Sequence, residues 1–377
     1  MRHSGIKAVL CVSAVTAALL APIASAGAAP AEGPTGTELA GKTVFLDPGH
    51  QGSAEGHSLS KQVPNGYGGM KDCGTTGMET VNGVAEHEIN WNVATIVKGV
   101  LESLGAEVKM SRADDTGWGG CIDERAAAAN ASGADLAVSI HADSTSTTGA
   151  DAARSGFHLI VPTLPLPNAA AQAAQSEGGR TASKLMVDSY KEQGFSPANY
   201  GGVVDAFSVR SDIAGPALTT IPLVFIEMGN GSNSADAAKL EGTDGQYEHA
   251  TAIARGIVSY LFSDGYPEGE PATHETPASP ETPAATSPEV TIKMNDGTVS
   301  TPAPTTPATA AITKPEAAVG VFDRMDEVFA LFEKITAAGG IGALLNLVND
   351  GDIGTFSDLT TDAVSLLGPL LSKVLPK

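Results

Sequence analysis

Basic residues are scarce. The 377-residue chain sets 22 Lys and Arg against 43 Asp and Glu, a formal charge of −21. Such a surface repels polyanions, which argues against nucleic-acid binding through a basic footprint and disfavours anionic membrane surfaces. Cysteine is nearly absent: there are three, with no close spacing between any two, so a thiolate metal cluster is disfavoured. Beyond the N-terminus no run reaches roughly 18 apolar residues, the minimum for a membrane-spanning helix. What remains, 42% hydrophobic residues, is a globular composition long enough for one full core and a second folded segment.

Residues 1–26 begin with Arg2 and Lys7, continue through an apolar run to Leu20, and end in Ala24-Ser25-Ala26. A basic start, a short apolar stretch and small residues at the end predict a cleavable export signal, cut near Ala26. A transmembrane anchor is the competing reading, but charged and Gly/Pro-rich sequence follows at once. The expected mature chain is soluble, in the periplasm, the cell envelope or the medium, with no membrane span. Removing two basic residues and no acids takes its formal charge from −21 to −23. Cys11 leaves with the signal. Cys73 and Cys121 remain, and an even pair in an oxidising compartment predicts a disulfide. It would close a loop of about 50 residues and contribute on the order of 2–4 kcal/mol through the unfolded state.

After a short tail over residues 27–40, residues 41–263 alternate strand-like and helix-like runs, the pattern of a layered α/β domain. Strands are predicted over residues 43–47, 106–110, 135–140, 156–161 and 222–227. Helices are predicted over residues 86–104, 122–131, 169–193 and 246–262. In the first of these, Ile89, Val93, Val97, Val100, Leu101 and Leu104 recur at helical spacing, and Gly105 supplies the C-terminal cap. Five strands with crossover helices imply a mostly parallel, twisted sheet covered by helices on both faces. Residues 264–318 change character: the stretch from 267 to 315 holds 10 of the 23 prolines, a composition that predicts an extended, disordered linker. Residues 319–377 read as a small module of amphipathic helices, the first along Val321, Phe322, Met325, Val328, Phe329, Phe332 and Ile335. A segment this short has a meagre core of its own, and we expect it to dock on an envelope component or a protein.

Binding residues in open α/β sheets gather at the carboxyl ends of strands. His50 follows the first strand in Asp47-Pro48-Gly49-His50, and His141 follows the third in Ser139-Ile140-His141-Ala142-Asp143. Either histidine alone is more often solvated than metallated. Two at neighbouring strand ends can share one ion, and a catalytic zinc needs a third ligand plus an open position. Glu86 opens its helix on the strand-end side, where the helix dipole favours a carboxylate. Its neighbours His87 and Glu88 compete for the role. Glu227 ends the apolar strand Leu223-Val224-Phe225-Ile226, where ionisation is costly unless a cleft or a cation faces it. Such a carboxylate can relay a proton from water to a leaving nitrogen. His57, His87, His158 and His249 have bland readings, and ion pairing is the default for Arg125 and Arg210. The segment 51–72, with the turn signal Asn65-Gly66-Tyr67-Gly68-Gly69, is expected to border the cleft and gate it.

Taken together, DPGH at 47–50, Glu86, the run Ser111 to Asp114, Arg125 with Asn130, SIHAD at 139–143 and PLVFIEMGNGSN at 222–233 resemble the zinc-dependent N-acetylmuramoyl-L-alanine amidases (the Amidase_3 family), most of all their short, exported actinobacterial members. The resemblance runs over residues 41–262. It implies a phosphorylase/hydrolase-like α/β fold, one Zn2+ held by His50, Glu86 and His141, Glu227 as catalytic acid and base, and peptidoglycan or muropeptides as substrate. The bond cut would be the amide between N-acetylmuramic acid and L-alanine of the stem peptide. Asp143 departs from the Asn that the family often carries there. A zinc peptidase or carboxypeptidase acting on the stem peptide, or a catalytically silent wall-binding protein, are the alternatives.

Overall fold

The computed structural model describes residues 37–263 and 319–337. The signal, the linker and the second and third tail helices expected from sequence lie outside these residues. A six-stranded sheet organises the domain, in the order β4-β1-β5-β8-β6-β7. The strands are β1 (Thr43–Pro48), β4 (Glu107–Met110), β5 (Leu136–Asp143), β6 (His158–Pro162), β7 (Phe207–Arg210) and β8 (Leu223–Asn230). A separate antiparallel hairpin joins β2 (Gln62–Pro64) to β3 (Met70–Asp72). β1, β4, β5 and β8 run parallel, and β6 and β7 are parallel to each other. Within the six-stranded sheet, β6 and β8 pair antiparallel. Parallel neighbours need a long crossover, usually helical, and the loop from β5 to β6 carries no more than a 3-10 turn at Gly149–Ala153.

Alternation along the three central strands gives the sheet two different faces. Val44 and Leu46, Val138 and Ile140, and Val224 and Ile226 sit side by side and are fully buried in the main core. That core also holds side chains of α1 (Glu86–Ser103), α4 (Arg180–Glu192) and α7 (Thr243–Leu261). The opposite face carries Phe45 and Asp47, then Ala137, Ser139 and His141, then Leu223, Phe225 and Glu227. It grades from apolar at one end of the strands to ionisable at the other. α2 (Ile122–Ala131) contributes Ala129 to the small cluster at the apolar end.

The predicted stripe on α1 is realised, with all six apolar residues fully buried. Gly105 follows the cap at φ 93°, a backbone conformation that glycine adopts without penalty. The helix expected over residues 169–193 is broken into α3 (Ala169–Ala174), a π turn at Gln175–Gly179 and α4. There the Gln175 amide donates to the carbonyls of Thr219 and Ile221 at 3.0 and 2.9 Å. β7, α5 (Ala214–Leu218) and α6 (Ser234–Glu241) were not expected. Each is too short for periodicity to register.

The first tail helix forms as α8 (Val319–Ala337), but it does not stand apart. Val321, Phe322, Met325, Val328 and Phe329 are buried and join the main core, against α7 and α1. Arg255 of α7 donates to both carboxylate oxygens of Asp326 at 2.5 Å and lies 5.4 Å from the centre of the Phe322 ring. The partner expected for the tail is, for this helix, the chain's own domain. Truncating a buried Met costs about 2–5 kcal/mol. Met325→Ala should therefore speed amide exchange across residues 319–337 while α1 and α7 keep their protection; unchanged exchange in α8 would contradict this packing.

Candidate metal centre

Pro48 and Gly49 end β1 abruptly, and His50 follows with φ 63°, a left-handed conformation rare outside glycine. Two buried arginines hold this turn. Arg125 donates to Asp47 Oδ1 at 2.7 Å, to the Pro48 carbonyl at 3.0 Å and to the His50 carbonyl. Arg112 donates to the Pro48 carbonyl at 3.1 Å and pairs with Asp115 at 2.6 Å. A Cβ at Gly49 would stand 2.2 Å from the ring of His141 and would have to displace it. The tight turn thus lays the β1 backbone against the β5 histidine.

Glu86 is buried between the two imidazoles. His50 Nε2 lies 2.9 Å from its Oε2, and His141 Nδ1 lies 3.0 Å from its Oε1. The amides of Met78 and Ala142 donate to the same carboxylate at 2.9 and 3.1 Å, and Asn90, one turn along α1, adds a third donor at 3.2 Å. Burial opposes its charge, but the hydrogen bonds from His141 and His50 outweigh burial and hold the carboxyl well below its ordinary range. The other end of the His50 ring, Nδ1, is 3.1 Å from the Thr75 carbonyl, a contact that orients the ring with Nε2 toward Glu86. The His141 ring stacks on Phe225 at 4.5 Å.

The ligating atoms of His50, Glu86 and His141 lie within 4.8 Å of one another, and no other such group occurs among the described residues. Two imidazole nitrogens and a carboxylate oxygen are a donor set that suits a transition metal such as zinc. The structure also separates the three acids and bases that sequence leaves in competition at the start of α1. Glu86 is buried in the cluster, Glu88 is exposed, and His87 pairs with Asp115 at 2.9 Å. Glu227 is the in-register neighbour of His141 on β8. It shares with the cluster a cleft of about 550 Å3, whose walls include Lys71 and Asp72 of the hairpin and Ile213 to Gly215. Burial, then the charges of Glu86 and Asp143, push the Glu227 carboxyl well above its usual range.

The hairpin borders the cleft, as expected, and is pinned. Tyr67 donates to the carbonyls of Thr163 and Arg210, Lys71 donates to the Asp212 carbonyl, and Cys73 is bonded to Cys121. Arg125 and Arg210 both make ion pairs, with Asp47 and Asp212. His57 stacks on Trp118, and His249 is buried beside Phe195. Sequence reasoning missed Asn90, and it named Arg112 only within the run Ser111 to Asp114, without a role. The spacing of Glu86 and Asn90, four residues apart on one helix, was the available signal for the first.

Residues 44–259 match the N-acetylmuramoyl-L-alanine amidase family. The chain belongs to that family. It is 36% identical over 254 residues to an N-acetylmuramoyl-L-alanine amidase of Mycobacterium tuberculosis, covering 67% of this chain and 98% of the relative. The crystal structure of the N-acetylmuramyl-L-alanine amidase from Mycobacterium smegmatis superposes with a TM-score of 0.54 at 40% identity, over 59% of this chain and 98% of that one. The apo enzyme from Mycobacterium abscessus gives 0.54 at 39% identity, over 59% and 99%. α8 lies beyond the family match.

Asp47 provides a test of how the turn is held. Burial raises its pKa, but Arg125 and Ser111 outweigh burial and bring it to about 2, below the ordinary value of 3.8. A carboxyl with a depressed folded-state pKa adds stability above its unfolded value and loses it as pH falls through the folded value. The shift corresponds to on the order of 2 kcal/mol, present at neutral pH and lost between about pH 4 and pH 2. Asp47→Asn should lower stability at pH 7 and flatten that acid limb in urea titrations; a limb as steep as wild type would contradict the pairing.

Proposed function

We propose that the protein is an exported, zinc-dependent peptidoglycan hydrolase that cleaves the amide between N-acetylmuramic acid and the L-alanine of the stem peptide. The observation that carries the reading is the buried Glu86 carboxylate between two strand-end imidazoles, with Glu227 beside them on the next strand, in a chain of this amidase family. His50, Glu86 and His141 would hold one zinc ion. When bound, zinc supplies Lewis acidity to the scissile carbonyl and to the attacking water.

The chain's own residues supply the rest. Glu227 takes a proton from the water and hands it to the departing alanyl nitrogen, which leaves poorly as an anion. Burial makes the Glu227 carboxylate a stronger base than an exposed one, and a cation held beside it would favour the ionised form that can accept the water's proton. Phe225 keeps the His141 ring fixed from below. The Glu86 donors at Met78, Ala142 and Asn90 keep that side chain from swinging away.

Export is supported by the N-terminal signal pattern and by the Cys73–Cys121 pair, since disulfides persist in oxidising compartments. Any docking of the tail on an envelope component would have to spare the apolar face of α8, which α7 and α1 cover.

Glu227→Ala should reduce turnover of purified muropeptides by about 100-fold or more while zinc content stays at one per chain. His50→Ala should lose the zinc itself. An active Glu227→Ala variant would refute the assignment of the proton carrier. Mass spectrometry of the digest separates this amidase from a stem-peptide peptidase: an amidase releases the intact peptide beginning with L-alanine, and shortened peptides would favour the peptidase.

A further inference from the structure

Glu227 has two in-register neighbours. On one side, β5 places His141 opposite it; on the other, the antiparallel β6 places His158 opposite it. Residues directly opposite on adjacent strands project to the same face, with Cβ atoms about 4.5–5.5 Å apart. The three side chains therefore form a row across the sheet: cluster histidine, carboxylate, second histidine. His158 is buried, at 3% exposure, and its Nδ1 has no partner. Oε2 of Glu227 is likewise buried and unpartnered. Two unsatisfied polar atoms on facing positions are costly unless they are used.

We infer that His158 is a positioning residue for Glu227, accepting a hydrogen bond from its carboxyl, directly or through one water, whenever that carboxyl holds the proton taken from the attacking water. The inference rests on the proposed role of Glu227 and goes beyond it. No proton passes to His158: the water's proton moves to Glu227, stays there while the imidazole lone pair orients it, and leaves with the alanyl nitrogen. The surroundings suit an acceptor. Burial, against the charge of Asp143, takes the His158 pKa down to about 4, so at neutral pH the ring is uncharged and one nitrogen keeps its lone pair. The Tyr200 ring meets the His158 ring edge to face at 5.8 Å and limits its rotation.

The test uses the full-length zinc-loaded protein and the variants His158→Phe and His158→Gln, with kcat and KM measured on a purified muropeptide alongside zinc content. His158→Phe should lower kcat about 10- to 100-fold with KM and zinc unchanged. His158→Gln, whose amide oxygen can accept the same bond, should recover at least about 5-fold of that loss. In a Glu227→Gln background, which has no proton to carry, adding His158→Phe should change the residual rate by less than about 2-fold. Wild-type kcat in both single variants would overturn the inference, as would equal impairment of Phe and Gln, the mark of a merely structural residue. If His158→Phe fails to fold, the Gln variant and its double mutant carry the test. An active Glu227→Gln enzyme would instead sink the role of Glu227 itself, whereas an inactive one beside a fully active His158→Phe would sink only the positioning role.

Discussion

A carboxylate taken out of water must be surrounded by donors or lose its charge, and Glu86 imposes that condition on the whole centre. Its two oxygens collect two imidazoles, two backbone amides and one side-chain amide. These donors come from the turn after β1, the loop before α1, the helix itself and the end of β5. Four separate pieces of chain must therefore arrive at one point for a single charge to be tolerated. The same arrangement brings three metal-ligating atoms together and leaves Glu227 within the shared cleft.

The sheet makes this convergence possible through parity. Up to the register shift after His141, the even-numbered apolar residues of β1, β5 and β8 go to the main core, and the odd-numbered ones line the face that bears the cluster and Glu227. A slip of one residue in any of these strands would exchange the two sets, so the apolar core that stabilises the fold also fixes the register of the site. The turn that carries His50 departs from regular geometry, and two buried arginines hold it there. Their charges are matched by Asp47 and Asp115, and their other hydrogen bonds go to backbone carbonyls and the Ser111 hydroxyl.

The parts of the fold that could be read from the amino-acid order are those with long periodic signals or sharp punctuation. The α1 stripe, the β1 strand broken by Pro48 and Gly49, and the strand-end placement of His141 and Glu227 all belong to this class. Glu86 was less legible, because His87 and Glu88 share its local pattern and only burial separates them. β7, with four residues entered through left-handed Asp205 and Ala206, lacks the length that alternation requires. The reversal of β6 and the π turn at Gln175 are set by distant partners, the first by pairing with β8 and the second by the carbonyls of Thr219 and Ile221. The pairing of Glu227 with His158 belongs with these, since it follows from the antiparallel register and not from any spacing along the chain.

α8 illustrates the same limit in another way. Its apolar spacing identifies a helix with one face to bury, yet nothing along the chain says which surface receives it. The receiving surface is α7 and α1, and α1 is the helix whose first residue is Glu86. Core packing on the back of α1 and donor geometry at its front therefore share one element.

The most direct test of the central claim is anomalous diffraction at the zinc absorption edge from crystals of the zinc-loaded protein. The account predicts one peak per chain, within about 2.0–2.2 Å of nitrogens of His50 and His141 and an oxygen of Glu86. A single peak at any other site, or none at full zinc loading, would contradict it.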